Sequence, residues 1–332
     1  MTADPLVPVE NPLDPASWNI QTSMARLSEF TMSSELEEIA AHRADVVVLT
    51  ADLASSNGLD SFAARFPDRF LNTGIAEQNM MSIAAGIAAS GFVPYVSTFA
   101  SFASLLCAEQ MRTDMAYTRL PVRVLAHHAG ISMGFYGTSH HAVEDIAVTR
   151  AIANLTVVSA ADGLAIRALI RQTIDVDGPV YLRIGRGAEK PVYEDVPNFR
   201  PGRLHRLRAG NDVAVIATGV GVRAALDAAD LLATENISAS VFDAAWLKPF
   251  DDEAVVEAAR STGAIVTVEE HNPYGGLGSA VADALALAGI GCAFAKVSLP
   301  DDYALVAPPT HLYRHYGLTG EGVAARVREV LS

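Results

Sequence analysis

A chain of 332 residues, half of them hydrophobic and 19% charged, has the length for about two domains with cores of their own. Its net charge of −14 argues against nucleic acid and against an anionic membrane as main partners, although a few local arginines suffice to hold an anionic substrate. Cys107 and Cys292 give neither a disulfide framework nor a zinc spacing, no stretch reaches the ~20 apolar residues of a membrane span, and Met1–Pro5 shows no signal-peptide pattern, so a reducing cytoplasm is the expected compartment.

Residues 1–19, with Pro5, Pro8, Pro12 and Pro15 among small and acidic residues, read as an extended arm. Short apolar runs then alternate with longer amphipathic segments. Strands are predicted at Val46–Leu49, Val93–Ser97, Val122–Ala126, Thr156–Ser159 and Val180–Ile184, and helices over 22–41, 75–90, 99–117, 142–152 and 162–175. Residues 191–207, rich in Pro and charge, read as a linker. A second pattern follows, with strands Val213–Thr218, Ser240–Asp243, Ala264–Glu269 and Ala293–Val297 and helices 221–234, 251–261, 277–287 and 320–331. Strand–helix alternation with Val-rich strands implies parallel sheets covered on both faces. The fold class is therefore α/β, with two doubly wound domains at 20–190 and 208–332.

Several segments offer chemistry, each with a plainer reading beside it. Ala214–Ala224 has the order strand, G-x-G-x-x-A, helix, with Asp243 about twenty residues on, which resembles a dinucleotide fingerprint on paper. A tight strand-to-helix turn explains it as well. Glu77 opens a helix whose next residues are small and apolar, from Met80 to Ala89. It either complements the helix dipole or is a poorly solvated carboxyl that can pass a proton. Phe99 and Phe102, spaced i, i+3, either join the core or form a platform for a flat heterocycle. The loop His127–His141 carries two His pairs, three glycines between them and no hydrophobic period, which suits a binding loop. Metal binding is disfavoured there because no ligand spacing frames the histidines; neutral imidazoles that bind hydroxyls and shuttle protons suit it better. Arg183 ends a buried strand, where it or Arg186 either holds a phosphate or carboxylate, or pairs with Asp52 or Glu144.

Taken in order, these pieces resemble the transketolase family. The carrying segments are Thr50-Ala-Asp52-Leu-Ala-Ser-Ser56-Asn, Asn72-Thr-Gly-Ile-Ala-Glu77-Gln, Ser97-Thr-Phe99-Ala-Ser-Phe102, His128…Gly137-Thr-Ser-His140, Val180-Tyr-Leu-Arg183, Trp246-Leu-Lys-Pro-Phe250 and Glu269-Glu-His271-Asn-Pro-Tyr-Gly-Gly-Leu-Gly-Ser279. The resemblance covers nearly the whole chain from about residue 22 and implies a pyrimidine-binding domain (20–190) followed by a transketolase C-terminal-like domain (208–332). It implies that Glu77 hydrogen-bonds the N1′ nitrogen of thiamine diphosphate, driving the aminopyrimidine towards the imino tautomer that deprotonates C2. Phe99 and Phe102, with Asp52, would hold the pyrimidine end. His128 and His140 would bind the donor's oxygens and relay protons, Tyr136 would face the donor, and Ser56, Arg183 and Arg26 would hold the acceptor's phosphate. No metal ligand is implied on this chain.

Full-length transketolases carry an earlier domain marked by Gly-Asp-Gly and a following Asn, which holds the diphosphate through Mg²⁺; no such segment occurs here. The resemblance therefore implies the C-terminal subunit of a split transketolase, working with an N-terminal subunit in an α2β2 heterotetramer on sugar phosphates. Tyr136 stands where many members have an acidic residue, which points to an altered donor. The rivals are the β subunit of a 2-oxo-acid dehydrogenase, a deoxyxylulose-phosphate-synthase-like enzyme, a non-catalytic partner that kept the fold, and the dinucleotide oxidoreductase suggested by Gly219–Ala224.

Overall fold

The computed structural model describes residues 27–186 and 190–332; the predicted arm and Arg26 lie outside the described residues. Runs of Val, Ile and Leu form strands β1 (Val46–Thr50), β2 (Phe70–Asn72), β3 (Val93–Phe99), β4 (Arg123–His127), β5 (Thr156–Ser159) and β6 (Val180–Arg183). They pair in parallel, and β3 to β6 are buried along their whole length, as strands with helices on both faces require. A second sheet comprises β7 (His205–Arg208), β8 (Val213–Ala217), β9 (Ala239–Asp243), β11 (Ala264–Val268) and β12 (Ala293–Val297), in the order β12-β11-β8-β9-β7. Both units are α/β, as expected.

The first sheet holds a strand from the other half of the chain. β10 (Trp246–Lys248) pairs antiparallel with β5 at its edge, completing the order β10-β5-β6-β4-β3-β1-β2. Lys248 fastens this strand through Nζ, which donates to the carbonyl of Arg150 at 2.9 Å and to that of Ile152. The predicted linker is also packed: Phe199 is 2% exposed, and the Tyr193 hydroxyl donates to buried Asp243 at 2.7 Å.

The long predicted elements recur within a residue or two at most ends, with helices Glu77–Ala89, Gly163–Thr173, Gly221–Ala233, Asp252–Thr262, Leu277–Leu287 and Gly320–Leu331. The predicted helix 99–117 does not run unbroken. Phe99 ends β3, and two wide turns, Phe102–Leu106 and Met111–Ala116, flank the short helical piece Ala108–Gln110. Wide helical turns of this kind concentrate at functional sites. The sequence reading missed Asp60–Arg65, Pro309–His315, β2, β7 and β10, all seven residues or shorter. Among the described residues, no helix is long and apolar enough to cross a membrane.

The connection after β1 leads to β2 on one side and the connection after β3 leads to β4 on the other, so the point where the winding reverses, the usual place for a ligand in an open α/β sheet, lies at the C-terminal ends of β1 and β3. The residues singled out from the sequence cluster around that edge.

Candidate active site

Phe99 and His127 are the last residues of β3 and β4 and stand opposite each other in the register. The chain then turns at His128, which adopts a left-handed φ of +60°. That turn brings the His128 ring to 4.3 Å from Phe99, centroid to centroid. Phe102 lies 5.5 Å from Phe99, and His140 lies 5.7 Å from Phe99 and 5.4 Å from Phe102. Tyr136 stacks on His140 at 4.8 Å. Five of the predicted residues thus form one continuous group of rings, buried at Phe99 and His128 and opening to solvent at Tyr136. Burial holds the His140 imidazole below its usual value, so it is neutral at physiological pH. Its Nδ1 lies 2.9 Å from the Ser139 hydroxyl.

Glu77 is the first residue of its helix and is half-buried. The turn before it is built by Asn72, whose Oδ1 accepts from the Asp52 and Gly74 amides, both at 3.0 Å. Gln78 donates to the Leu106 carbonyl at 2.9 Å, so the helix start is tied to the wide turn that begins at Phe102. Burial, and secondarily Glu77, push the neighbouring Cys107 thiol up to about 12. Among the described residues the Glu77 carboxylate has no hydrogen bond or ion pair. Asp52 and Ser56 are exposed on the loop after β1, the strand beside β3. They share the edge but make no ring contact with the cluster.

Arg183 is placed differently from the sequence expectation. Its side chain is 2% exposed and pairs with Asp145 at 2.8 Å, not with Asp52 or Glu144. It also donates to the carbonyls of Glu270 at 2.8 Å and Ala142 at 3.2 Å. It is therefore an internal strut between the two halves of the chain, with its donors directed inward. Glu270 extends the same seam, accepting from the Ile131 amide and the Tyr313 hydroxyl, both at 2.8 Å. Gly130 permits this approach: a Cβ there would lie 2.0 Å from Glu270 Cδ, and its φ of +61° is itself a glycine conformation. Glu269 caps the helix after it, accepting from the amides of Leu277 at 2.6 Å and Gly278 at 2.8 Å. The Glu269–Ser279 motif thus works as seam and cap, a role that its composition did not disclose.

The dinucleotide-like site is closed. Gly219 turns against the first domain, where a Cβ would meet Ser159 Oγ at 3.2 Å and Arg183 Nη1 at 3.6 Å. Asp243, which would read a ribose, is fully buried under Tyr193, and burial raises its carboxyl to about 7. Among the described residues no group of three His, Cys, Asp or Glu side chains is arranged to hold a metal.

Known proteins resemble this chain in sequence and fold. Residues 30–190 match the family description "Transketolase, pyrimidine binding domain", and residues 202–323 match "Transketolase, C-terminal domain". The chain is similar to a 6-deoxy-6-sulfo-D-fructose transketolase subunit from Clostridium sp., 36% identical over 86% of this chain and 88% of that one. It is likewise similar to an apulose-4-phosphate transketolase subunit of Phocaeicola vulgatus, 35% identical over 90% of this chain and 96% of that one. A solved structure described as a split gene transketolase, inactive beta4 tetramer, superposes with a TM-score of 0.83 at 41% identity, covering 92% of this chain and 97% of that one. Against a 1-deoxy-D-xylulose-5-phosphate synthase of Syntrophotalea carbinolica, identity is 34%, but the match covers only 51% of that longer protein. With both of its α/β units matched in this order, the chain belongs to the transketolase family.

Proposed function

We propose that this chain is the C-terminal subunit of a thiamine-diphosphate-dependent split transketolase, in which domains 20–190 and 208–332 bind the pyrimidine end of the cofactor and complete the subunit. The reaction is transfer of a two-carbon ketol unit from a ketose (phosphate) to an aldose (phosphate). The observation that carries this reading is the ring cluster Phe99, Phe102, His128 and His140 on the same sheet edge as a Glu77 carboxylate that has no internal partner among the described residues. A flat aminopyrimidine needs an aromatic wall and a carboxyl for its ring nitrogen, and these residues match that demand. When bound, the cofactor supplies the carbanion chemistry. Glu77 would hold the ring nitrogen, while neutral His140, together with His128, would bind substrate oxygens and move protons. Asp52 would support the pyrimidine end, and Ser56 and Arg26 would contact the acceptor's phosphate. Arg183 is left out of the substrate set because its side chain is 2% exposed and paired with buried Asp145.

The diphosphate and Mg²⁺ are assigned to a separate N-terminal subunit, a reading supported by relatives that are themselves named as transketolase subunits and are matched over 88% and 96% of their length. Exposed apolar residues flank Glu77: Leu71 at 40%, Ile75 at 83%, Leu105 at 54% and Leu106 at 53%. Such a patch calls for a covering partner and supports an α2β2 assembly, in the cytoplasm, with active sites at subunit contacts. That the 41%-identical neighbour is described as an inactive tetramer of one chain type agrees with this. Relatives named for a sulfo-sugar and for apulose phosphate support a sugar substrate, without fixing which.

The test is reconstitution with the N-terminal subunit, thiamine diphosphate and Mg²⁺. The pair is expected to turn over and the lone chain is not; full turnover by the lone chain sinks the split-subunit reading. Glu77→Gln in the reconstituted enzyme should lower kcat by at least ~100-fold with an unchanged unfolding midpoint. Near-normal turnover would remove Glu77 from its role. Acceptance of a 2-oxo acid donor in place of a ketose would favour the synthase-like alternative.

A further inference from the structure

His127 has no part in the chemistry above, yet it is fully buried at the end of β4, in the heart of the site. Its Nδ1 lies 2.9 Å from Nδ1 of His128. Consecutive residues leaving a strand normally send their side chains to opposite faces. The left-handed φ of +60° at His128 reverses that and brings the two rings together. Such a backbone at a non-glycine residue is strained, so the surrounding fold holds the pair in place.

Two imidazole nitrogens at this distance share one proton, and the direction of the bond decides the tautomer of both rings. His127 stays neutral: burial foremost, and the Arg186 charge second, bring it down to about 3. Its Nε2 is buried with no hydrogen-bond partner among the described residues. If His128 were the donor, the single proton of His127 would sit on that Nε2, as a buried N–H without an acceptor. If His127 is the donor, only a lone pair is buried there. Orphaned buried N–H groups are the rarer and costlier of the two.

We infer that His127 is a positioning residue: it donates its Nδ1 proton to Nδ1 of His128 and fixes His128 as the Nε2–H tautomer, a hydrogen-bond donor for a carbonyl or hydroxyl oxygen of the sugar substrate. The substrate half of this rests on the transketolase reading; the tautomer does not. A single donor of fixed identity recognises an acceptor oxygen and rejects a competing donor at the same point.

The test is long-range proton–nitrogen correlation NMR on the full chain with ¹⁵N-labelled histidine at neutral pH, with His128→Gln and His127→Leu used for assignment. The expected spectrum shows His127 as Nδ1–H and His128 as Nε2–H. In His127→Leu the His128 signals should move to a mixture of tautomers, and kcat/KM for the donor in the reconstituted enzyme should fall about tenfold. His127→Asn, whose amide can also donate, should restore both. His128 observed as Nδ1–H in the unsubstituted chain overturns the inference, and that measurement needs no variant to fold. An Nε2–H His128 without ketol transfer would sink the transketolase reading alone; ketol transfer with an Nδ1–H His128 would sink the positioning role alone.

Discussion

Replacing Arg183 with Met separates a structural arginine from a phosphate-binding one. The substitution keeps much of the volume but leaves Asp145 buried at 0% exposure with only the Tyr181 hydroxyl, at 3.0 Å, beside it. The carbonyls of Ala142 and Glu270 lose a donor, and the Glu270 carboxylate loses a cation 3.9 Å away. Breaking a buried pair from one side costs about 3–5 kcal/mol, because the remaining charge is uncompensated. With an unfolding entropy of about 2.1 cal/mol/K per residue, a chain of 332 residues shifts in Tm by roughly 1.4 °C per kcal/mol, hence about 4–7 °C here. Urea unfolding followed by circular dichroism gives the first figure and calorimetry the second. Removing both charges in Asp145→Leu/Arg183→Met should cost less than Arg183→Met alone, since no lone ion stays inside. A loss below about 1 kcal/mol, joined to a raised KM for the phosphorylated acceptor, would refute the strut and return Arg183 to the substrate.

Asp243→Asn should flatten the dependence of stability on pH. The native carboxyl is raised by burial to about 7, so the folded state holds its proton more tightly than the unfolded state. Its contribution is fully present below the unfolded value and is lost as pH rises towards 7, an effect of a few kcal/mol at most; parallel pH profiles for the two proteins would refute this. Tyr136→Asp should change the donor preference of the reconstituted enzyme by about 10–100-fold in relative kcat/KM, because a charged acceptor replaces a ring stacked at 4.8 Å on His140. Unchanged preference would show that Tyr136 does not read the donor.

The long elements were legible because their periodicity is long enough to see. Leu277–Leu287 and Gly320–Leu331 are helices whose bounds the sequence pattern already marks. That Phe99, Phe102, His128, Tyr136 and His140 lie together was legible because the order of motifs along the chain follows the order of loops along one sheet edge. What stayed hidden depended on meetings between distant segments. The pairing of Arg183 with Asp145 arises from the register of β6 and the entry of the helix Asp145–Ala151, which no local pattern encodes. The contact between His127 and His128 requires a positive φ at a non-glycine residue, and nothing in the spelling His-His announces it. The dinucleotide-like turn misled for the opposite reason: its local pattern is right, but the space that a ligand needs is filled by the other domain.

The strand Trp246–Lys248 has a consequence beyond architecture. By lying along β5 it covers backbone groups that a terminal parallel strand would otherwise present to solvent, where a second chain could extend the sheet. Because the strand doing this belongs to the later half of the chain, the sheet of the earlier half is completed only after Trp246–Lys248 has been made. During synthesis the β5 edge therefore stays open until Trp246 emerges, an interval in which unpaired strand groups are exposed to neighbouring chains.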